Sequence, residues 1–330
     1  MTLSSLAMPS LITSQKFKSH ATSEVVIVRH GRSNYNEQGI HQGASDGSVL
    51  TLQGREAAYK TGLALSNFKF DVIYTSPLQR VLQTTEEILR AFQELGKPSH
   101  PIFVDNRLTE INMACWEGLT YQKVQEDLAE DYTSWKQTPH LFAFKSATGK
   151  PYFPLQELYQ QSQKFWQEIL VKHCGQRILV IAHGGTNRTL ISSAVGLGPE
   201  YYHQFQQSNT CINWLEFPVP GSLTGKLKWL NSTHHLEEPL PKLKAGKHGW
   251  RWVLISNQIQ QLQALQNCLS QEPIKIVLSD DSDASETIAK NWCKGCLSTV
   301  HLSVKQTDFL DIWGQNIIAP QNRKTYLIQV

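Results

Sequence analysis

Three short apolar runs in this chain each end in a residue able to bind an anion, and one of those residues is also a nucleophile. Arg29-His30-Gly31-Arg32 follows Val25-Val26-Ile27-Val28, Ser76-Pro77-Leu78-Gln79-Arg80 follows Val72-Ile73-Tyr74, and His183-Gly184-Gly185 follows Ile178-Leu179-Val180-Ile181-Ala182. The chemistry this set suits is phosphoryl transfer. Guanidiniums on either side of an imidazole disfavour a further positive charge on the ring, so His30 keeps the lone pair that attacks phosphorus. Leu108-Thr109-Glu110, between the second and third runs, adds one carboxylic acid, which a departing alkoxide needs. Each residue alone has a structural explanation: a strand-end histidine, a surface arginine, a glutamate beside a helix dipole. It is the repeated placement at strand ends, in this order, that favours the chemical reading.

The positioning elements follow from the apolar spacing. Runs bounded by polar residues read as buried strands, and open α/β sheets bind ligands in the crevice beyond strand ends. Thr51 to Ser66 reads as a helix, and Leu78, Val81, Leu82, Thr85, Leu89 and Phe92 recur at helical spacing, which puts Arg80 in a first turn. Pro154 opens a helix whose Leu155, Leu158, Tyr159, Phe165, Trp166, Ile169 and Leu170 form an apolar face, read as core. Gly184-Gly185 offers backbone amides at a further helix N-terminus, an anion site. Strands alternating with helices imply an α/β, three-layer αβα architecture with a mainly parallel sheet.

The chain has 330 residues, enough for a main domain and a smaller one, and 40% hydrophobic content supports a sizeable core. The reading is a tail without order over 1–22, a main domain over 23–240, a Pro-, Lys- and Gly-rich linker over 241–249, and a small α/β unit over 250–330. In that unit Val253-Leu254-Ile255 matches Val26-Ile27-Val28, with Asn257 where His30 stands, as in a degenerate partial repeat with a packing or regulatory role. A net charge of +3 without a basic tract excludes a broad nucleic-acid footprint, and no apolar stretch reaches membrane-span length. Six scattered cysteines suggest a reducing, cytoplasmic compartment.

Arg-His-Gly, Ser-Pro-Leu-x-Arg, Leu-Thr-Glu and the late His-Gly occur in an order and spacing that resemble the histidine phosphatase superfamily, which includes cofactor-dependent phosphoglycerate mutases. The resemblance covers about residues 24–240 and implies the phosphoglycerate-mutase-like fold. It assigns His30 as the residue that becomes phosphohistidine, Arg29, Arg80 and His183 as the charge cage, and Glu110 as proton donor and later acceptor. It also matches Asn36 to a family asparagine that donates to the phosphate, while Gly184 enters as a substrate-binding glycine. It implies neither metal nor cofactor, a small phosphorylated metabolite as partner, and a homodimer, which family members often form.

Mutases of this family carry adjacent arginines after the acid, whereas here no arginine stands between Arg107 and Arg177, and only lysines such as Lys123, Lys136 and Lys145 are scattered through that stretch. Hydrolysis is therefore expected. The runs Glu110 to Trp116, Trp135 to His140 and Leu230 to His234 are similar to the metal-independent phosphoserine phosphatases, with Met113 where those enzymes typically place a histidine and Ala114 for a usual glycine. Phosphoserine is the leading substrate, with sugar-acid phosphates such as carboxyarabinitol phosphate, the mutase reaction, and a silent phosphometabolite sensor as alternatives. Asp281-x-Asp283 reads as helix capping rather than a magnesium-dependent nucleophile. Cys293 and Cys296, with His301 nearby, lack a fourth zinc ligand and read as thiols. His234-His235 is expected to be exposed.

Overall fold

The computed structural model describes residues 22–145, 149–218 and 222–237, four later strands, and the helical residues Asp283, Glu286, Thr287 and Lys290. Residues 1–21 of the expected tail, the 241–249 linker, Asn257, Asp281, Cys293 and Cys296 lie outside the described residues.

The first half of the main domain runs β1 (Ser23–Arg29), α1 (Asn34–Gln38), α2 (Leu52–Leu65), β2 (Val72–Thr75), α3 (Gln79–Glu94) and β3 (Ile102–Val104). Then come α4 (Tyr121–Asp127), α5 (Ala129–Gln137), a hairpin of β4 (Phe144–Lys145) and β5 (Pro151–Tyr152), α6 (Pro154–Lys172), β6 (Arg177–Ala182), α7 (Gly184–Ala194), β7 (Ile212–Phe217) and β8 (Lys226–Ser232). The sheet order is β3-β2-β6-β1-β7-β8; β3, β2, β6 and β1 are parallel, and β7 and β8 are antiparallel additions.

Because side chains alternate across a strand, each buried run feeds two cores. Val25 and Ile27 of β1, with Ile178 and Val180 of β6, pack with Phe165, Trp166 and Ile169 of α6 and Leu190 and Ile191 of α7. Val26, Val28, Leu179 and Ile181 face the other way, onto Leu65 of α2 and Val81, Ile88 and Phe92 of α3. This is the three-layer αβα arrangement, with continuous apolar strands in its centre because both faces are covered. A third cluster, around Trp116, Trp135, Phe142 and Phe144, joins the Glu110 segment to α5 and the hairpin.

Caps set the helix starts. Thr51 accepts from the Gly54 amide, Pro154 occupies the first turn of α6, and Ser33 and Asn36 form a reciprocal capping box on α1. A second sheet, β9 (Arg251–Ile255), β10 (Ile274–Asp280), β11 (Val300–Val304) and β12 (Tyr326–Gln329), has the order β11-β10-β9-β12 with only β12 antiparallel. His234 is exposed as expected, whereas His235 is half-buried against α2, its Nε2 3.0 Å from Thr61 Oγ1. Chain reversal after β8 brings it there, which corrects the expectation for this residue.

One close crossing locks the loop after β1 to α2. A Cβ on Gly31 would lie 2.5 Å from the Gly54 carbonyl oxygen, and a Cβ on Gly54 would lie 2.1 Å from the Arg32 carbonyl oxygen. Both neighbours are backbone, which cannot swing aside as a side chain does. Gly54→Ala is expected to destabilise the domain by about 2 kcal/mol or more and to weaken activity through displacement of His30. Chemical denaturation would measure it, and a neutral change in midpoint would show that the crossing is not tight.

Candidate active site

Adjacent β2, β6 and β1 bring three carboxyl ends to one edge of the sheet. His30 follows β1 and its amide donates to Ala182 O of β6 (3.0 Å), while the Ser76 amide, after β2, donates to Ile181 O (3.1 Å). The loops they start line one cleft of about 180 Å³, which holds Arg29, His30, Asn36, Arg80, Glu110 and Gly184. Six of the seven residues singled out from sequence thus share one hollow, and the seventh, His183, places its ring 5.3 Å from the His30 ring, edge to face.

His30 is buried, and its Nδ1 lies 2.8 Å from Gly31 O. A carbonyl only accepts, so Nδ1 carries the proton and, in the neutral ring, Nε2 carries the nucleophilic lone pair. Gly31 is held in turn by its amide donating to Thr84 Oγ1 of α3 at 2.9 Å.

The cations are fixed before any ligand arrives. Arg29 donates through Nη1 to Gln207 O (2.7 Å); Arg80, fully buried in the first turn of α3, donates to the carbonyls of Gly43 (2.9 Å) and Ser45 (3.0 Å) and to Ser48 Oγ (3.2 Å). Burial lowers both guanidiniums, Arg80 to about 10, and guanidiniums keep their proton in proteins. The buried Nε atoms of Arg29 and Arg80 and the Nδ1 of His183 have no hydrogen-bond partner among the described residues. Buried donors of this kind are costly unless an acceptor completes them, and a phosphoryl group supplies several oxygens.

His183 is held well below the usual histidine range by burial first, then by the Arg80, His30 and Arg29 charges. Its Nε2 lies 2.8 Å from Ser76 Oγ. With the Ser76 hydroxyl donating to Nε2, the neutral ring keeps its proton on Nδ1, the donor an oxyanion requires.

Glu110 takes the place expected of the anion at the N-terminus of α7. Its carboxylate accepts from the amides of Gly185 (3.0 Å), Thr186 (3.1 Å) and Ile111 (2.9 Å). A Cβ on Gly185 would lie 2.2 Å from Glu110 Oε1, and one on Gly184 would lie 3.2 Å from Arg29 Nε, so the two glycines let the acid and the arginine close in. Asn36 Oδ1 accepts from Asn209 Nδ2 (3.0 Å) and Ser33 N (3.3 Å), which leaves its Nδ2 as the donor for a ligand.

The cleft also contains residues that sequence reasoning missed: His41, Tyr121, Arg188, Tyr202 and Gln207. His41 packs against Trp116 and Tyr121, and burial pushes it down to about 4, so it is a neutral hydrogen-bonding ring. Only Arg188 carried a local signal, since it stands four residues after Gly184 and shares its helix face. The others come from the start of α4 (Tyr121), a 3-10 turn (Tyr202) and loops (His41, Gln207), with no motif of their own. Among the described residues no group of three or more His, Cys, Asp or Glu is placed to hold a metal ion, and no helix is long and apolar enough to cross a membrane.

The model of the histidine phosphatase superfamily, branch 1, matches residues 25–224, and the chain belongs to that family. It is 34% identical over 240 residues to a probable 2-carboxy-D-arabinitol-1-phosphatase of Arabidopsis thaliana, covering 72% of this chain but only 46% of that protein. It is 27% identical over 215 residues to phosphoserine phosphatase 1 of Hydrogenobacter thermophilus, covering 65% of this chain and 95% of that one. Bacillus stearothermophilus YhfR superposes with a TM-score of 0.57 at 25% identity, over 65% of this chain and 99% of that chain. The chain spans less than half the length of the Arabidopsis relative.

Two outcomes follow from this geometry. Ser76→Ala is expected to lower kcat/KM about 10-fold by loosening the His183 tautomer, read in steady-state kinetics. Separately, His41 and His235 both sit near 4 in the fold, below the unfolded value of 6.5. Their stabilisation is complete above about pH 6.5 and is lost as pH falls toward about 4, because the unfolded chain then binds more protons. The thermal midpoint should fall over that interval and His41→Asn should flatten the slope; an unchanged slope would contradict the burial of this ring.

Proposed function

We propose that the chain is a metal-independent phosphomonoesterase that works through a phosphohistidine on His30. The observation that carries this reading is the convergence of Arg29, Arg80 and His183, each with an uncompleted buried donor, around one imidazole whose tautomer is set by Gly31 O. In the first step Nε2 of His30 attacks phosphorus in line and the bond to the leaving oxygen breaks. Glu110 protonates that oxygen, and the Nδ1–H bond to Gly31 O steadies the ring as it becomes positive. In the second step Glu110 takes a proton from water, which displaces His30 and releases inorganic phosphate. Preorganised charge around the equatorial oxygens supplies the largest rate contribution.

Phosphoserine is the first substrate to test, since the Hydrogenobacter relative named for it aligns over nearly its full length. A sugar-acid phosphate is the second reading, favoured by the higher identity to the Arabidopsis protein named for 2-carboxyarabinitol 1-phosphate. His41 supports a departure from the phosphoserine pattern: Met113 lines the cleft without a polar atom suited to a buried ligand, and an imidazole enters the same cleft from a different loop.

Single-turnover labelling should give an acid-labile phosphoprotein, His30→Ala should lower hydrolysis by at least about 10³-fold, vanadate should inhibit, and a chelator should leave the rate intact. Labelling without turnover would favour a phosphometabolite sensor; a chelator-sensitive rate would overturn metal independence.

A further inference from the structure

The arginines of the main domain divide into two groups. Arg32, Arg55, Arg90, Arg107 and Arg177 each meet a carboxylate, from Glu37, Glu87, Glu87 with Glu94, Asp105 with Glu168, and Glu24 respectively. Among the described residues of the main domain only Arg29, Arg80 and Arg188 have no ion pair, and all three line the same cleft. The mechanism uses Arg29 and Arg80. It gives Arg188 nothing to do.

Arg188 is nonetheless held as firmly as the other two. Its Nε–H donates to Phe205 O at 2.6 Å, and its guanidinium carbon sits 5.0 Å from the centroid of the Tyr202 ring. These contacts fix the plane of the fork and leave further N–H donors on the terminal nitrogens. An anion bound beside Arg188 would pair with those donors. The rest of this end of the cleft is aromatic, with Trp116, Tyr121, Trp135 and Tyr202, a low-dielectric wall that strengthens any such pairing.

We propose that Arg188 is a specificity-determining residue, its guanidinium fork binding a carboxylate on the leaving-group half of the phosphomonoester. The proposal rests on the phosphomonoesterase reading and adds the substrate class, a phosphorylated small hydroxy acid. A planar carboxylate presents two oxygens to one fork. A second phosphoryl group would call for the paired guanidiniums that the first receives, and Arg188 gives one fork. The expectation drawn from the lack of arginines between Arg107 and Arg177 is thereby narrowed: the second cationic spot comes from Arg188 of α7, outside that segment.

The test uses matched esters that differ in the carboxylate: phosphoserine against phosphoethanolamine, and 3-phosphoglycerate against glycerol 3-phosphate. The quantity read is the ratio of kcat/KM within each pair on one preparation, which cancels the folded fraction of a variant. The full chain should prefer the acid of each pair. Arg188→Met should reduce that preference about 30-fold, chiefly through KM, and Arg188→Lys about 5-fold. An unchanged ratio in Arg188→Met, or no preference in the parent protein while p-nitrophenyl phosphate is still hydrolysed, overturns the carboxylate assignment and leaves the phosphatase reading standing. Arg188-dependent binding of a carboxylate-free bisphosphate more tightly than either acid would assign the spot to a second phosphate instead. Failure to hydrolyse any ester would remove both readings.

Discussion

A phosphoryl dianion can be taken out of water only if its charge is met by donors that have no other charge to satisfy. Arg29 and Arg80 meet that condition because their fixed contacts are to neutral oxygens: the Gln207, Gly43 and Ser45 carbonyls and the Ser48 hydroxyl. Carbonyl partners orient a guanidinium without neutralising it, so its field remains directed at the cleft. Had either arginine paired with a carboxylate, as the surface arginines do, the same residues would form an ion pair of little consequence. The neutral His183 belongs to the same logic, since a third fixed charge beside two buried guanidiniums would cost more than a polar ring that donates one hydrogen bond.

Placement of this cage depends on the parallel strands. β2, β6 and β1 lie side by side, so the residues just past their carboxyl ends emerge on one edge within a few ångströms of each other. The two core clusters on opposite faces of the sheet fix that edge, because a one-residue slip of β1 would exchange Val25 and Ile27 with Val26 and Val28 between α6/α7 and α2/α3. Glycines finish the assembly at the points of closest approach, Gly31 over Gly54 and Gly185 under Glu110. Function thus draws on packing over most of the main domain.

The site has two halves of different character. Around His30 it is polar, rigid and backbone-rich, as suits a step common to every phosphomonoester. Around Trp116, Trp135 and Tyr202 it is aromatic and is built from the Glu110 segment, α5 and the short 3-10 turn at Pro199–Gln204, elements outside the central sheet. Variation there alters what the leaving group meets without touching the phosphate cage, which fits relatives that share this fold and carry different substrate names.

Sequence alone determined the architecture of the main domain and the phosphate half of the site. Buried strands read as unbroken apolar runs, helix faces as a 3.6-residue period, and residues at a strand end stay beside that strand, so Arg29, His30, Arg80 and His183 were legible from local patterns. Tertiary structure decided the rest. Arg188, His41, Tyr202 and Gln207 reach the cleft from segments far apart in the chain, and that Arg188 lacks a carboxylate is a fact about what surrounds it in space, which no local window contains. Nor did the motif predict that the amides of α7 would receive Glu110 rather than a ligand: a helix N-terminus attracts the nearest anion, and which anion that is depends on how two distant segments pack.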